Sequence, residues 1–334
     1  MQLETLREEC EKLKGNIDAL FPTKEDATLT YEIRNKIEDY INSKLPNLLL
    51  KYEEFAESVR KLGSYQEYKN IIAEGNLQIG KRYSQIGLLW EVFSNIMLKS
   101  KDFDTLKQIA KERAKLMLYS KEHNVHAASF SQGNMKLLLL ALAYQAEACY
   151  FEILQNYEFF NLHLTSKVDF ITLEEYAKNT IIAFRKAFDI YKILEQDFLG
   201  SLELELLINQ IRYYVYKTTV YLNENNISFA RSSMLQICEL LKESPSAINK
   251  FEIAKHAKPE LVRYYSDLFK NLFEEVENAT NETLQKIENI AKSQEKDKLK
   301  ISKEIKKIVD YIVSKFFEAL LKNIMPPPSY QQFS

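Results

Sequence analysis

Residues 75–82, "GNLQIGKR", carry the residue types and nearly the spacing of a phosphate-binding loop. Gly75, Gly80 and Lys81 match the pattern GxxxxGK[ST], but Arg82 stands where a Ser or Thr would hold magnesium. That loop also follows a β-strand, whereas the sequence on both sides of this stretch has helical periodicity. The stretch is therefore predicted to be an ordinary turn between two helices.

Two histidines are spaced to share one face of a helix and could ligate a metal. His123 and His126 are three residues apart, but a metal site needs more ligands, and His163 and His256 are distant in sequence. The Glu-x-x-His pattern of di-iron helical bundles is absent from the sequence. We predict solvated or capping histidines, and we expect no catalytic residue, no cofactor and no metal.

The amino-acid composition indicates an all-α protein, so helices must position these residues. The chain has 334 residues, of which only 7 are Gly and 7 are Pro, and 46% are hydrophobic, enough for a continuous core. Elongated helical arrays often exceed the usual domain length. We predict one extended helical domain over residues 1–324 and a proline-rich tail over residues 325–334.

Charge and cysteine usage indicate the compartment. The formal net charge is −2, so no overall electrostatic field attracts nucleic acid, which we do not expect as a partner. Cys10, Cys149 and Cys238 are odd in number and widely spaced, as expected for a reducing environment. Because no apolar run approaches the ~18 residues of a membrane span, we expect a cytoplasmic protein.

The apolar periodicity predicts long helices interrupted at a few places. We expect breaks at Pro46 and at residues 75–80, and a connection bracketed by Pro245 and Pro259, because proline and glycine disfavour helix interiors. Thr172, three residues before Glu175, forms a capping-box pattern that predicts a helix start. Downstream, two helical stretches flank the turn "NENN" and predict a hairpin that resembles a tetratricopeptide unit.

A basic run lies near the end of the chain, within residues 296–307. A lysine-rich helix face can contact anionic lipid, which would recruit the protein to endosomal or other membranes. The alternative, a solvated helix face, is favoured by the interspersed Asp297 and Glu304. The candidate lipid contacts are Lys296, Lys298, Lys300, Lys303, Lys306 and Lys307.

The last ten residues, "MPPPSYQQFS", contain a recognisable peptide motif. Pro327, Pro328 and Tyr330 form the PPxY pattern, which WW domains bind as a polyproline II helix with the tyrosine in its own pocket. A WW-domain protein is therefore a predicted partner. A cluster of prolines is also a plain helix stop, and that alternative remains open.

Between Gly80 and Ser244 the sequence has, in order, "YSQIGLLWEVFSNIML", "LLLLALAYQAEACYFEIL" and "TIIAFRKAFDIYKIL", then the hairpin from Tyr213 to Leu241. This part of the chain resembles the Bro domain, the boomerang-shaped helical module of ESCRT-associated scaffolds. The family has helices of the form "vLfNigALySqiA", "LmLAQAQEcff" and "iIAkLAnqaadYY" in the same order, followed by a tetratricopeptide-like hairpin.

The resemblance implies a boomerang-like fold and a function as a non-enzymatic adaptor in ESCRT membrane remodelling. The family binds the C-terminal helix of an ESCRT-III subunit in a concave groove. Its contact positions fall here on Cys149, Tyr150, Ile181 and Arg185. Two alternatives remain: a helical-repeat peptide receptor unrelated to ESCRT, and a helical enzyme, which a buried cluster of carboxylates in one cavity would indicate.

Overall fold

The computed structural model describes residues 2–22, 28–165, 169–196, 199–253, 262–274, 278 and 295–321. Throughout these ranges the regular secondary structure is helical, which confirms the all-α prediction. In chain order the elements are α1 (Leu3–Asp18), α2 (Thr28–Asp39), a π-helical turn (Tyr40–Lys44), α3 (Leu45–Lys61), α4 (Tyr65–Ser100), α5 (Phe103–Phe130), α6 (Gly133–Thr165), α7 (Phe170–Ile193), α8 (Leu199–Asn223), α9 (Ile227–Ile253), a helical segment at 262–274, and α10 (Glu295–Leu321).

The described residues form two compact units. The first contains those of Met1–Tyr157 together with Ala183–Glu195, and the second contains Glu158–Ile182 and those from Gln196 onward. Helices α6 and α7 each contribute residues to both units. Because two units can belong to one domain, the single domain expected over residues 1–324 stays a prediction.

Helix α4 is at the centre of the first unit's core. Its apolar stripe contains Ile86, Leu89, Trp90 and Phe93, and all four are buried. These positions recur at helical spacing and pack with apolar residues of α1, α3, α5 and α6 in one continuous cluster. Burial of this stripe is the main source of stability for a helix that has three glycines in its interior.

The expected break at Pro46 is wrong. The chain continues from α2 through the π-helical turn into α3, where Pro46 occupies the first turn. Leu45 N–H donates to Tyr40 O, five residues earlier, so the helix is widened just before the proline. This wider turn avoids the clash that a proline ring makes with the preceding turn of a regular α-helix.

The expected turn at residues 75–80 is also wrong, because "GNLQIGKR" lies inside the unbroken helix α4. The structure shows what the glycines do there. A Cβ at Gly75 would lie 2.8 Å from Cγ of Tyr52, and a Cβ at Gly80 would lie 3.4 Å from Oδ1 of Asn124. The two glycines therefore let α3 and α5 approach α4 closely, which compensates for their low helix propensity.

The second unit contains the predicted helical hairpin, formed by α8 and α9 around the turn at residues 224–226. The small residues Ala230 and Ser233 are buried in α9. At the other end of the hairpin, a Cβ at Gly200 would collide with the backbone carbonyl of Lys250. The likeness of this hairpin to a tetratricopeptide unit, and the boomerang shape, stay predictions.

The expected break at Pro245 is wrong, since α9 continues through it to Ile253. Proline cannot donate to the carbonyl of Leu241, four residues earlier. The hydroxyl of Ser244 donates to that oxygen instead, at 2.6 Å. The neighbouring serine thus satisfies the carbonyl group that the proline leaves without a backbone partner.

Helix α7 begins two residues before the predicted capping box. It starts at Phe170, and the cap is the carboxylate of Asp169, which accepts hydrogen bonds from the N–H of Ile171 at 3.0 Å and the hydroxyl of Thr172 at 2.8 Å. The hydrogen bonds from Thr172 hold the pKa of Asp169 below its usual range. The Thr172–Glu175 capping box is therefore a wrong assignment.

Candidate functional site

An open groove of about 480 Å³ lies between α1 and α3 in the first unit and is here called the α1–α3 groove. It extends along about two turns of each helix, roughly 10 Å at a rise of 1.5 Å per residue. Its lining residues are Glu9, Lys12, Leu13, Asn16, Lys44, Asn47, Leu48, Leu50 and Lys51.

Amphipathic spacing in both helices makes the apolar lining of this groove. In α1, Leu13 belongs to a buried stripe with Leu6, Cys10 and Ile17, which anchors the helix to the core. In α3, Leu48 is likewise buried, whereas Leu50 lies on the outer side of the helix and is 51% exposed. The groove therefore offers an accessible leucine beside two leucines that the core holds in place.

Lysines dominate the charge of the α1–α3 groove, with three lysines against a single glutamate. Lys51 Nζ pairs with Glu9 Oε2 at 2.8 Å, and Lys44 Nζ lies 3.8 Å from Asp39 Oδ2 outside the groove. Lys12 is exposed and makes no ion pair with any described residue. An apolar surface with a cationic border suits a short amphipathic helix that carries acidic side chains.

The two histidines share a helix face, as their spacing predicted. His126 is exposed to solvent, which agrees with the prediction, whereas His123 is partly buried and does not. Nδ1 of His123 and Nδ1 of His126 lie 2.9 and 3.2 Å from the same atom, Oδ1 of the buried Asn76. Asn76 donates its own amide hydrogen to the carbonyl of Ile72, so its oxygen is the acceptor for both rings. His123 also stacks on the ring of Tyr83. The histidines therefore tie α5 to α4.

Burial is the main cause of an altered pKa at this cluster. Desolvation, and then the neighbouring His126, lower the pKa of His123 to about 4. The ring is neutral at physiological pH and donates from Nδ1 to Asn76. Among the described residues, no group of three or more His, Cys, Asp or Glu is arranged to hold a metal ion.

A second cavity of about 30 Å³ lies between α4, α5 and α6, and both polar and apolar side chains line it. Oδ1 of Asn124, which is 4% exposed, has no hydrogen-bond partner there. Gln145, on the opposite wall, accepts a hydrogen bond from the hydroxyl of Tyr191 at 2.7 Å. The volume and the free acceptor suit one or two water molecules. No Asp or Glu lines this cavity, so it does not show the carboxylate cluster that would indicate an enzyme.

The four residues implied by the Bro-domain resemblance are in different environments. Cys149 is 2% exposed in the first unit's core, and Ile181 is 8% exposed in the second unit. Tyr150 is partly exposed, and Arg185 is exposed. Cys149 and Ile181 are core residues, and their side chains offer no surface to a partner. Of this set, Tyr150 and Arg185 remain available for binding.

The predicted lipid-binding lysines all fall on α10. Lys303, Lys306 and Lys307 are exposed, while Ile305 and Ile312 of the same helix are buried in the second unit's core. Helical spacing thus separates a lysine face from an apolar face. The PPxY residues Pro327, Pro328 and Tyr330 lie outside the described residues, as does residue 324, where the predicted domain ends.

Helix α6 contains a stretch, Gly133–Glu158, that is long and apolar enough to cross a membrane by length and composition, and an 18-residue window within it has a mean hydropathy of 1.5. The sequence predicted no membrane span, because no uninterrupted apolar run approaches ~18 residues. In the structure 44% of that window is buried. Core helices of soluble proteins have the same properties, so this stretch alone does not assign a membrane location.

A search of the chain against known protein families, curated proteins and solved structures finds no match.

Proposed function

We propose that this protein is a protein-binding adaptor that receives a short amphipathic helix with an acidic face in the α1–α3 groove. The observation that carries the proposal is the combination of the accessible Leu50, the two anchored leucines beside it and the excess of lysines around them. Apolar anchors supply affinity in this mode of recognition, and opposite charge fixes orientation and accelerates association.

The identity of the partner rests on the resemblance to the Bro domain. The order of the helical motifs between Gly80 and Ser244 supports an adaptor of the ESCRT membrane-remodelling pathway, with the C-terminal helix of an ESCRT-III subunit as the bound segment. The resemblance implies contacts at Tyr150 and Arg185, whereas the geometry favours the α1–α3 groove. These are two separate sites within the first unit, and mutations can distinguish them.

The test is a titration of fluorescently labelled ESCRT-III C-terminal helix peptides with the full chain. Leu50→Asp is expected to weaken binding by about tenfold or more, because it places a carboxylate among the apolar anchors. Lys12→Glu is expected to weaken binding and to reduce its salt dependence. Ile253→Asp is the matched control, since Ile253 is also an exposed apolar residue but lies in the other unit.

The outcomes separate the alternatives. Loss of binding in Tyr150→Asp with unchanged binding in Leu50→Asp would place the site where the resemblance implies it. Equal affinity for unrelated acidic amphipathic helices would favour the peptide receptor unrelated to ESCRT. If neither substitution changes the affinity, or if no helix binds, the adaptor proposal is wrong.

Two further partners are proposed from the sequence. A peptide spanning residues 324–334 is expected to bind WW domains with roughly micromolar affinity and to lose most of that binding in Tyr330→Ala. Equal binding by both peptides would leave the prolines as a helix stop.

The lysine face of α10 is expected to bind anionic vesicles at low salt and to release them as salt increases. Binding that does not depend on salt would exclude this second contact.

A further inference from the structure

Two inter-helix turns lie side by side at one end of the first unit. One connects α3 to α4 at residues 62–64, and the other connects α5 to α6 at residues 131–132. The ring of Tyr68, in the first turn of α4, meets the ring of Phe130, the last residue of α5, with centroids 6.2 Å apart and nearly perpendicular planes. We call the surface formed by residues 60–69 and 130–136 the two-turn tip.

The two-turn tip exposes three large apolar or aromatic side chains. Leu62 is 87% exposed, Tyr65 is 57% exposed, and Met135 is 50% exposed. Leu62 directly precedes Gly63, whose φ of +94° is what ends α3 in a tight turn. Single exposed apolar residues are normal on protein surfaces, but a group on two adjacent turns marks an interaction surface.

The same tip carries an excess of positive charge. Arg60, Lys61, Lys69 and Lys136 lie on it, whereas the only carboxylates of the tip and its adjoining turn of α3 are Glu57 and Glu67. Glu57 is already paired with Arg60 at 2.9 Å. The whole chain has a net charge of −2, so this local excess differs in sign from the rest of the molecule.

Two of these cations lie against the aromatic rings of the tip. Lys69 Nζ is 4.7 Å from the ring centroid of Tyr65, and the guanidinium of Arg60 is 5.7 Å from that of Tyr68. Tyrosine rings beside cationic groups are typical of the lipid headgroup region, where one end of the side chain is apolar and the other hydrated. Lysine and arginine stems can lie along apolar surface while their charges reach the phosphates.

We propose that the two-turn tip binds the surface of an anionic lipid bilayer. Leu62 and Met135 enter the boundary between headgroups and acyl chains, the tyrosines lie at headgroup level, and Lys61 and Lys136 contact lipid phosphates. This site is separate from the α1–α3 groove and from the lysine face of α10, and it does not depend on the adaptor function.

The first test is co-sedimentation of the full chain with vesicles of phosphatidylcholine containing about 30% phosphatidylserine, compared with phosphatidylcholine alone. We expect binding to the anionic vesicles at low salt. In the double variant Leu62→Glu with Met135→Glu, the affinity for these vesicles should fall by at least about tenfold, because charge replaces both inserting side chains. Ile253→Glu, an exposed apolar residue of the other unit, should bind like the unchanged protein.

The second test measures insertion directly. Trp90 is the only tryptophan and is 1% exposed, so it gives a constant background for a new tryptophan at the tip. In Leu62→Trp, we expect a blue shift of the emission on anionic vesicles and quenching by brominated lipid chains. A substitution of Leu62 is not expected to change the fold, and circular dichroism verifies this.

Four results would overturn the proposal. They are an absence of binding to anionic vesicles at low salt, unchanged binding in the double variant, equal loss in Ile253→Glu, and binding without quenching in Leu62→Trp. If binding instead disappears in Lys303→Glu with Lys306→Glu and Lys307→Glu while the tip variants bind normally, the lysine face of α10 is the lipid contact. If the double variant binds lipid as the unchanged protein does, the tip does not bind lipid, and its partner is then a protein.

Discussion

At the scale of single residues, the cluster around Asn76 shows how a buried amide can organise two titratable rings. Its one free acceptor, Oδ1, receives Nδ1–H from His123 at 2.9 Å and lies 3.2 Å from Nδ1 of His126. Asn76 is a helix-interior residue of α4, and nothing in its sequence neighbourhood indicates this role. Sequence reasoning found that the histidines share a face, but their acceptor lies 47 and 50 residues away in the chain.

The lowered pKa of His123 predicts a pH-dependent stability. The folded ring stays neutral down to about pH 4, whereas an unfolded histidine binds a proton near pH 6.5. The unfolded state therefore binds more protons between these values, so the free energy of unfolding falls as pH decreases from about 7 to about 4. After allowance for partial exposure, we expect this one group to contribute a loss of roughly 1–2 kcal/mol. Urea unfolding at several pH values measures it.

The control for this prediction is a pair of glutamine variants. His123→Gln should flatten the dependence of stability on pH, because it removes the group that titrates between the two states. His126→Gln, at a more exposed position, should retain most of that dependence. An equal slope in the unchanged protein and in His123→Gln would show that other groups cause the acid sensitivity.

At the scale of helices, the sequence predicted which segments are helical better than it predicted where the helices begin and end. The apolar stripe of α4 and the α8–α9 hairpin follow directly from periodicity, and both are present. The predicted breaks at Pro46 and Pro245 failed because a π-helical turn and the hydroxyl of Ser244 accommodate the prolines. Such compensation depends on specific local geometry, which an average residue propensity does not contain.

The site was harder to predict than the fold, for a related reason. The α1–α3 groove combines residues that are about 35 positions apart in sequence, and each of them looks like an ordinary amphipathic helix position. Spacing within one helix can indicate which face is buried, but it does not specify which two faces leave a gap between them. Cys149 and Ile181 show the opposite error, because these apolar residues were predicted to bind a partner but are buried in the core.

Gly75→Ala is predicted to destabilise the first unit by roughly 2–3 kcal/mol, because the new methyl group overlaps Tyr52 across the α3–α4 contact. Gly15→Ala is the matched control. Gly15 is also inside a helix, but its Cβ would have no neighbour within 4 Å, so alanine should stabilise α1 by about 0.5–1 kcal/mol. Thermal unfolding followed by circular dichroism compares them. A gain in stability for both variants would contradict the close approach at Gly75.

Asp169→Ala is predicted to destabilise α7 by about 1 kcal/mol, because the N–H groups of Ile171 and Thr172 lose their acceptor. Asp169→Asn should retain most of the capping, since an amide oxygen can accept the same hydrogen bonds. Glu175→Ala should have little effect, because Asp169 and not the capping box caps this helix. Urea unfolding curves for the three variants measure these differences. A larger loss of stability in Glu175→Ala than in Asp169→Ala would show that the Thr172–Glu175 capping box caps the helix after all.

At the scale of the whole molecule, the division into two compact units predicts unfolding that is not a single step. Each unit has its own hydrophobic core, and Trp90 is buried in the first. Tryptophan fluorescence therefore reports the first unit, whereas helical circular dichroism reports both. We expect the two urea transitions to differ in midpoint, as is usual when cooperative units open separately. Coincident transitions would show that the units unfold together.

Two of the close approaches made by glycine, at Gly75 and Gly200, have different consequences for how the sequence can evolve. The obstacle at Gly75 is a side chain, Tyr52, so a lineage that first acquires a smaller residue at position 52 can later accept alanine at position 75. The order of these two substitutions then matters, and the two positions should covary among descendants. The obstacle at Gly200 is the main chain of Lys250, which no substitution removes. Position 200 should therefore stay glycine whatever happens elsewhere in the hairpin.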